Sequence, residues 1–331
     1  MSKPAAIEET VKAAPASWRD YLQLMKPRVM SLVVFTALTG VVAARSHIHP
    51  VLAAVAVLCI AIGAGASGAL NMWFDADIDA KMRRTRARPV PAGRVVGAEA
   101  ASLGVVLSLL SVMLMGMALN WLAAGLLAFT ILFYAVVYTM WLKRWTVQNI
   151  VIGGLAGALP PAIGWAAATG EAPLNAWLMV LIIFLWTPPH FWALALYTKQ
   201  DYAKAGVPML PVVKGAKNTR LQILIYSLIL IPVCIAPAFT GLGGLLYLAI
   251  AAGGGLVFLI LAWRLFASRA GDEADDRTGE NGDLLYAVRA GSKDARNLFA
   301  FSILYLFVLF AALLVEAVAG LSPMHWVINL S

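Results

Sequence analysis

Charged side chains are scarce in this chain. Of its 331 residues only 13% are charged, whereas 61% are hydrophobic and the mean hydropathy is +0.82. Soluble domains carry about 25% charged residues, so this composition excludes an ordinary soluble protein. Cysteine is also rare: Cys59 and Cys234 have neither CxxC nor metal-ligand spacing, which excludes a disulfide scaffold. Both lie in apolar segments and are interpreted as packing residues.

Long apolar segments account for most of the sequence. A membrane-spanning helix needs about 20 mainly apolar residues. Nine segments meet this condition: 28–45, 51–74, 98–119, 121–142, 147–169, 174–197, 221–240, 242–265 and 297–319. The predicted fold is therefore all-α, a polytopic membrane protein with nine transmembrane helices. We expect the polar residues 1–20 to form a disordered cytoplasmic tail, and residues 21–331 to form a single transmembrane domain.

The basic residues are distributed unevenly along these segments. If all nine cross the membrane, 24 of the 25 lysines and arginines fall on the side of the N-terminus, and only Arg45 lies opposite. Cytoplasmic loops retain positive charge, so we expect a cytoplasmic N-terminus and a periplasmic C-terminus. The chain start resembles neither a signal peptide nor an Arg-rich transit peptide, which favours a bacterial inner membrane. The net charge of +8 then reflects topology better than nucleic-acid binding.

Three aspartates and several arginines follow the second apolar segment, in "NMWFDADIDAKMRRTRARP" at 71–89. If the helix continues through residue 79, Asn71, Asp75 and Asp79 lie along one side, and Asp77 points away. One amide and two carboxylates form the oxygen-ligand set that Mg²⁺ uses when it bridges a protein to substrate phosphates. Arginine is the preferred bidentate partner of phosphate. The alternative is a salt-bridged helix end that follows the positive-inside rule.

The spacing of this segment is more specific than a charge cluster. "NxxxDxxxD" followed by "RTxxRP" resembles the first signature of the UbiA superfamily of intramembrane prenyltransferases. The resemblance implies a nine-helix bundle with two aspartate-rich motifs that face a shared cavity. The second motif departs from the DxxxD pattern, because Asp201 in "KQDYAKAGVPMLPVVKG" is followed at i+4 by Ala205. This stretch, "WTPPHFWALALY" and "YLQLMKPRVMSLVVFTALTG" are similar to the branch of the superfamily that attaches a farnesyl group to heme.

The resemblance also implies roles for individual side chains. The implied magnesium ligands and catalytic residues are Asn71, Asp75, Asp79 and Asp201. The implied diphosphate contacts are Arg84, Arg88, Lys143, Arg144, Lys199 and Lys204. For Lys143 and Arg144 the alternative is a basic end of the fourth span.

The implied heme contacts are His190, Trp186 and Trp192, all in the sixth apolar segment. A neutral imidazole can ligate heme iron, or it can donate to a heme propionate. The tryptophans can pack on a porphyrin face. The alternatives are a helix-to-helix hydrogen bond for His190 and a core or interfacial stripe for the tryptophans. Glu316, near the end of the last segment, is expected at the membrane interface.

The expected activity follows from the resemblance. The farnesyl group of farnesyl diphosphate is transferred to the 2-vinyl group of heme b, and addition of water gives heme O. Such a reaction needs no strong protein nucleophile, and the sequence has no convincing Ser/His/Asp or Cys/His set. Expected partners are membrane lipid and a downstream heme-modifying enzyme. One alternative is a related prenyltransferase for an aromatic or quinone-precursor acceptor. A transporter is disfavoured because the charges cluster at one membrane face.

Overall fold

The computed structural model describes residues 16–272 and 282–321, and the regular elements within these residues are helical. The α-helices are α1 (Trp18–Leu24), α2 (Pro27–Ala43), α3 (Pro50–Phe74), α4 (Ala76–Lys81), α5 (Gly97–Ala118), α6 (Trp121–Leu132), α7 (Lys143–Trp145), α8 (Asn149–Ala158), α9 (Pro160–Thr169), α10 (Leu174–Tyr197), α11 (Lys199–Lys204), α12 (Leu210–Val213), α13 (Gly215–Ile235), α14 (Leu245–Ala267) and α15 (Gly282–Val318). A π-helix, Phe133–Leu142, joins α6 to α7, and a short 3₁₀-helix, Ala236–Ala238, follows α13. The all-α prediction is confirmed.

The membrane spans also match the sequence. Within the described residues, eight helical segments are long and apolar enough to cross a membrane. A ninth is formed if α1 and residues Val29–Ala43, which meet at an angle of 58°, count as one bent span. The polytopic helical fold is therefore confirmed. Residues 1–15 of the predicted tail lie outside the described residues, and helix α1 begins at Trp18, before the predicted tail boundary at residue 20.

The spans pack into a closed bundle. Neighbours along the chain are in contact from α2 to α3, α3 to α5, α5 to α6 and onward to α15, which returns to α2. Helices α2 and α9 approach especially closely, since a Cβ atom placed on Gly40 would lie 2.0 Å from the carbonyl oxygen of Pro161. Small residues permit this kind of contact between membrane helices.

Two pairs of prolines have different effects on the backbone. The predicted fifth span, 147–169, consists of two helices, α8 and α9, because Pro160 and Pro161 follow the junction at Leu159. Proline lacks the N–H that would continue the helical ladder, so it is favoured in the first turn of the second helix. Pro188 and Pro189 lie inside α10, which is continuous.

Glu316 is buried inside the protein, and its expected depth at the membrane interface stays a prediction. Only 1% of the residue is exposed. Its carboxylate accepts hydrogen bonds from the backbone N–H groups of Gly244, at 2.6 Å, and Tyr247, at 2.9 Å. The first N–H groups of a helix have no partner within that helix, so Glu316 of α15 caps α14 from outside. No local sequence pattern links residues 316 and 244, and periodicity alone does not reveal the contact.

Candidate active site

The polar column lies where α3 meets α4. Asp75 separates the two helices, yet the four-residue hydrogen-bond ladder continues, from the Asp75 N–H to the Asn71 carbonyl at 2.9 Å and from the Asp79 N–H to the Asp75 carbonyl at 2.8 Å. Asn71, Asp75 and Asp79 are 4%, 0% and 2% exposed. The side chain of Asp77 is 57% exposed. The structure therefore places three side chains on the buried side of this segment and Asp77 on the exposed side.

Each member of the column contacts a basic side chain. The pairs are Asn71 with Lys26, Asp75 with Lys143, and Asp79 with Arg88, the last at 2.6 Å. Burying an ionised carboxylate without compensation is costly, so these contacts allow two aspartates to stay buried side by side. The same cations can stabilise phosphate oxygens if they change partners.

Arg144 forms a further ion pair at the edge of the column. Its two terminal nitrogens lie 2.7 and 3.0 Å from the carboxylate oxygens of Asp77. One of them is also 3.8 Å from Asp75. The guanidinium of Arg144 lowers the pKa of Asp77, mainly through these hydrogen bonds. Asp77 thus holds Arg144 beside the column without being part of it.

The π-helix brings further polar groups to the column. The Thr139 hydroxyl accepts a hydrogen bond from the Asn71 amide at 3.0 Å and donates to the Tyr134 carbonyl at 2.8 Å. Lys143 follows the π-helix directly. A Cβ atom on Gly153 of α8 would lie 2.1 Å from the Tyr138 ring, so glycine is needed for this packing. π-Helical segments occur frequently at functional sites. The sequence pattern did not predict this segment, because "FYAVVYTMWL" also fits an ordinary apolar helix.

Lys26 is another member of the site that the sequence pattern did not reveal. It lies between α1 and α2, and its ammonium donates to the side-chain oxygen of Asn71. The ammonium is also close enough to Arg88 and Lys143 to interact with their charges. The cations of the site therefore repel one another, and a bound anion would relieve this repulsion. The available sequence signal was the Lys26-Pro27 dipeptide, which is too short to interpret alone.

An apolar cavity begins beside Lys26. It has about 700 Å³ of empty volume, part of which is open to the surroundings. Its lining residues are Met25, Lys26, Val29, Met30, Val33, Ile60, Ala64, Ser67, Gly68, Leu127, Thr130, Ile131, Tyr134, Ala156, Gly157, Pro160 and Ile163. Ser67 and Gly68 lie about one turn before Asn71 on α3, so the cavity and the column are neighbours. The site can hold a molecule with an anionic head and an apolar tail.

The column suits a magnesium ion that shares its ligands with a substrate. The Oδ1 atom of Asp75 is buried and has no hydrogen-bond partner in the described part of the chain. An unsatisfied buried oxygen is costly and is available as a ligand. Asn71, Asp75 and Asp79 offer too few oxygens for a complete protein cage. Mg²⁺ commonly binds one or two carboxylates and completes its shell with substrate phosphates and water, so the residues fit this ion.

Asp201 does not form a metal-binding group with these ligands in the described residues. It occupies the first turn of α11 and is partly exposed. Across residues 16–272 and 282–321, no three His, Cys, Asp or Glu side chains are grouped so that they could hold a metal ion. The structure therefore does not bring Asp201 together with Asp75 and Asp79, and its role as a fourth ligand stays a prediction. Tyr138 interacts electrostatically with both Asp75 and Tyr202, so α11 borders the same region of the protein.

The six predicted diphosphate contacts are distributed over two positions. Arg88, Lys143 and Arg144 contact the aspartates at the column, as described above. Arg84, in the segment after α4, and Lys204, at the end of α11, are exposed. Lys199 begins α11. The first three are therefore in position to act on a ligand at the column, whereas contact of the other three with such a ligand stays a prediction.

Two of the predicted heme contacts pack against α15. The ring of His190 lies between the rings of Trp186, at 4.2 Å, and Phe299, at 4.6 Å. Its Nδ1 atom is 2.7 Å from the Ser302 hydroxyl, and the Trp186 indole donates to the Ser302 carbonyl at 2.8 Å. This geometry matches the alternative interpretation of His190 as a helix-to-helix hydrogen-bonding residue.

The third predicted heme contact faces another helix. Trp192 packs edge-on against Tyr226 of α13 with ring centroids 5.3 Å apart, and its buried indole N–H has no partner among the described residues. Neither Trp192 nor the pair Trp186 and His190 lines the apolar cavity. The structure does not bring the three side chains to one surface, so their contact with heme stays a prediction.

Comparisons with known proteins agree with this architecture. Residues 32–282 match the UbiA prenyltransferase family. A protoheme IX farnesyltransferase from Caulobacter vibrioides is 77% identical over 315 residues, 94% of each chain. Among solved structures, a digeranylgeranylglyceryl phosphate synthase superposes with a TM-score of 0.71 at 16% identity, over 91% of this chain and 98% of that one. A UbiA homologue from Archaeoglobus fulgidus bound to GPP and Mg²⁺ has a TM-score of 0.59 at 16% identity, over 87% and 99%. At such identities the two structures show a shared fold.

Proposed function

Since the chain belongs to the UbiA prenyltransferase family, we propose that it transfers the farnesyl group of farnesyl diphosphate to the 2-vinyl group of heme b. Addition of water gives heme O, a precursor for the heme groups of terminal oxidases, and diphosphate is released. The observation that carries this assignment is the 77% identity with a protoheme IX farnesyltransferase over 94% of both chains. The geometry of the site supports the prenyl diphosphate half of this reaction, whichever molecule accepts the prenyl group.

The arrangement of column and cavity suits a prenyl diphosphate. The farnesyl chain would occupy the apolar cavity, and the diphosphate would lie at Asn71, Asp75 and Asp79. Lys143, Arg88 and Arg144 are already within contact distance of the aspartates and would turn to the phosphate oxygens. Arg84, Lys199 and Lys204 would approach from the surface. The bonds that these side chains give up and the bonds that they gain are both charge-assisted, but a diphosphate carries more negative charge than one carboxylate, which favours this exchange.

Magnesium would be held by Asn71, Asp75 and Asp79, with Asp201 as the proposed fourth ligand. When bound, it withdraws negative charge from the diphosphate and so makes that group a better leaving group. The protein's own basic residues contribute in the same direction, because they stabilise charge as it develops on the departing oxygens. Asp75 and Asp79 keep these side chains in place before the substrate arrives.

The reaction then needs separation of charge in a dry environment. The allylic C–O bond breaks, and its electron pair stays with the diphosphate. The vinyl group of heme attacks the allylic carbon, and water adds to the resulting cation next to the porphyrin and releases one proton, which leaves a hydroxyl group. The apolar lining between Val29 and Ile163 would exclude water from the first cation until the vinyl group has reacted. We propose that heme lies along α10 and contacts His190, Trp186 and Trp192. Direct ligation by Nδ1 of His190 would require it to leave Ser302.

The proposed location follows from the distribution of basic residues. The site would face the cytoplasm in a bacterial inner membrane, with the N-terminus on the same side and the C-terminus in the periplasm. Membrane lipid would surround the bundle. A heme-modifying enzyme would consume the product.

One assay tests the function directly. Purified protein in lipid nanodiscs is incubated with heme b, farnesyl diphosphate and Mg²⁺, and the heme products are identified by mass. We expect heme carrying one added farnesyl group and one added hydroxyl group, and no product when the metal is chelated. The matched control is Asp75→Asn, which is close in size but lacks the ligand charge. Prenylation of an aromatic or quinone-precursor acceptor in the same assay, with heme unchanged, would replace this proposal by the alternative activity.

A further inference from the structure

The connection between α1 and α2 has an unusual backbone. Lys26 has φ 52° and ψ 58°, in the left-handed region, and it precedes Pro27. Glycine is the usual residue where a helix ends in this conformation, because a Cβ atom there costs about 1–2 kcal/mol. A following proline disfavours helical conformations further. Lysine at this position therefore requires a reason that lies in its side chain.

The surroundings hold the strained turn in place. The Lys26 N–H donates to the Gln23 carbonyl at 3.1 Å, and the Lys26 carbonyl accepts from Val29 at 2.9 Å. Earlier in α1, the Asp20 carboxylate accepts from Arg94 at 2.8 Å. This bond ties α1 to the segment that carries the arginines. Strained residues persist where the surrounding structure determines them strongly, and they occur often at functional sites.

The side chain of Lys26 reaches the junction between the column and the cavity. It lines the apolar cavity and also donates to Asn71, the member of the column nearest the cavity-lining Ser67 and Gly68. In a prenyl diphosphate the corresponding junction is the oxygen that joins the first carbon of the chain to phosphorus. If the tail lies in the cavity and the phosphates lie at Asp75 and Asp79, that oxygen would lie next to Lys26.

Among the cations of the site, Lys26 can exchange its hydrogen-bond partner most easily. Lys143, Arg88 and Arg144 each pair with a carboxylate. The hydrogen bond from Lys26 instead goes to the neutral amide of Asn71. This bond lacks the attraction of an opposite charge, which each of the other three cations already has, so Lys26 has the most to gain from an anionic ligand.

We propose that Lys26 is a further catalytic residue, which leaves Asn71 and donates a hydrogen bond to the ester oxygen of the prenyl diphosphate. This inference rests on the proposed function. When the allylic C–O bond breaks, the electron pair stays on that oxygen, and the ammonium of Lys26 stabilises the new negative charge. No proton transfer is required. Release of Asn71 by Lys26 also frees the amide oxygen of Asn71 for the metal.

A thermodynamic cycle between one side chain and one substrate atom tests this contact. Calorimetry without heme compares farnesyl diphosphate with its analogue that has CH₂ in place of the ester oxygen, in the presence of Mg²⁺. For the unaltered protein we expect the analogue to bind roughly tenfold more weakly, as for the loss of a charge-assisted hydrogen bond. For Lys26→Met both ligands should bind weakly and within about twofold of each other, because the partner of the ester oxygen is gone.

Two further variants serve as controls. One tests whether loss of any positive charge has the same effect, and the other tests whether misfolding explains the result. Lys143→Met should weaken both ligands equally and leave their ratio as in the unaltered protein. Lys26→Asn removes the ammonium with a residue that tolerates the left-handed conformation, so it should reproduce the loss of discrimination if Lys26→Met is misfolded. An unchanged ratio in both Lys26 variants, with binding of both ligands retained, would overturn the role of Lys26. Failure of the unaltered protein to bind either ligand would overturn the proposed function instead.

Discussion

Buried carboxylates occur at both ends of the helix bundle, and they are compensated differently. At one end, Asp75 and Asp79 face the side chains of Lys143 and Arg88. At the other end, Glu316 accepts hydrogen bonds from two backbone N–H groups of the first turn of α14. Lysine and arginine side chains can rotate towards a new anion, whereas backbone N–H groups move only with their helix. The first arrangement suits exchange with a ligand, and the second suits stability.

This difference separates two roles that burial alone does not distinguish. Asp75 and Glu316 are equally inaccessible, at 0% and 1% exposure. Asp75 nevertheless has one oxygen without a hydrogen-bond partner in the described residues, whereas both oxygens of Glu316 are bonded. An unsatisfied oxygen at a site rich in cations indicates a place for a ligand. A fully bonded one indicates that the protein already uses the group.

The largest expected effect is the loss of turnover in Asp75→Ala. Removal of one preorganised charge from an active site costs roughly 10²–10³ in rate, and here the loss also releases Lys143 from its position. Turnover should fall by at least this factor in the fraction that stays folded, and the melting temperature is followed alongside because Lys143 and the Asn71 amide lose a buried partner. Steady-state assays of heme prenylation and differential scanning fluorimetry measure the two quantities. If Asp75→Ala had normal turnover, Asp75 would not be a ligand-exchanging residue, and the proposed difference between Asp75 and Glu316 would be wrong.

The second largest effect is expected for Glu316→Ala, which should lower the stability of the protein and leave substrate binding unchanged. Glu316→Ala leaves two buried N–H groups of α14 without a partner, which costs about 1–3 kcal/mol each. We expect a clearly lower melting temperature, and unchanged affinity for farnesyl diphosphate in the fraction that stays folded. Glu316→Gln retains one acceptor and should lie between the two. If Glu316→Ala altered the affinity and not the melting temperature, Glu316 would belong with Asp75.

The sequence predicts one side of this comparison better than the other. The column of Asn71, Asp75 and Asp79 follows from a four-residue spacing within a single helical segment, and such periodicity is local. The bond from Glu316 to Gly244 joins distant parts of the chain and has no local pattern. The same holds for Lys26 and Thr139, which meet Asn71 from different helices.

The predicted heme contacts show a further lesson about spacing. Trp186 and His190 are four residues apart and both face α15, whereas Trp192 is two residues beyond His190 and faces α13. Residues two apart on a helix do not share a face, so the sequence itself contained the signal that this set is divided. Grouping Trp186, His190 and Trp192 by residue type and by closeness in sequence overlooked this difference in helix face.

A third effect concerns the cavity beside the exchangeable cations. Gly157 lines this cavity, and a Cβ atom placed there would meet no atom within 4 Å. Gly157→Val should therefore fold normally but fill space needed by the farnesyl chain. Since each methylene that no longer fits a pocket costs about 1–3 kcal/mol, the ratio of kcat/KM for geranyl over farnesyl diphosphate should rise roughly tenfold.

The control for this prediction is Gly125→Val. A Cβ atom placed on Gly125 would likewise meet no atom within 4 Å, but Gly125 does not line the cavity. The donor preference of Gly125→Val should equal that of the unaltered protein. Equal donor preferences in Gly157→Val and Gly125→Val would mean that the farnesyl chain lies elsewhere.

The smallest effect should come from Asp77→Ala, which tests whether position or charge makes an aspartate of this segment essential. Asp77 has the same charge as Asp75 and pairs with Arg144, but its side chain is 57% exposed. Exposed ion pairs contribute about 0–1 kcal/mol, so turnover should change by less than about fivefold. Arg144 lowers the pKa of Asp77. A carboxyl whose pKa is lowered by folding stabilises the folded protein at every pH above its unfolded pKa. This contribution is lost as the pH falls through the folded pKa. Any small difference in melting temperature between Asp77→Ala and the unaltered protein should therefore be present at pH 7 and shrink only below about pH 4. If Asp77→Ala reduced turnover as strongly as Asp75→Ala, the helical column would not be the feature that distinguishes these aspartates, and the pairing of Arg144 with Asp77 would have to be part of the site.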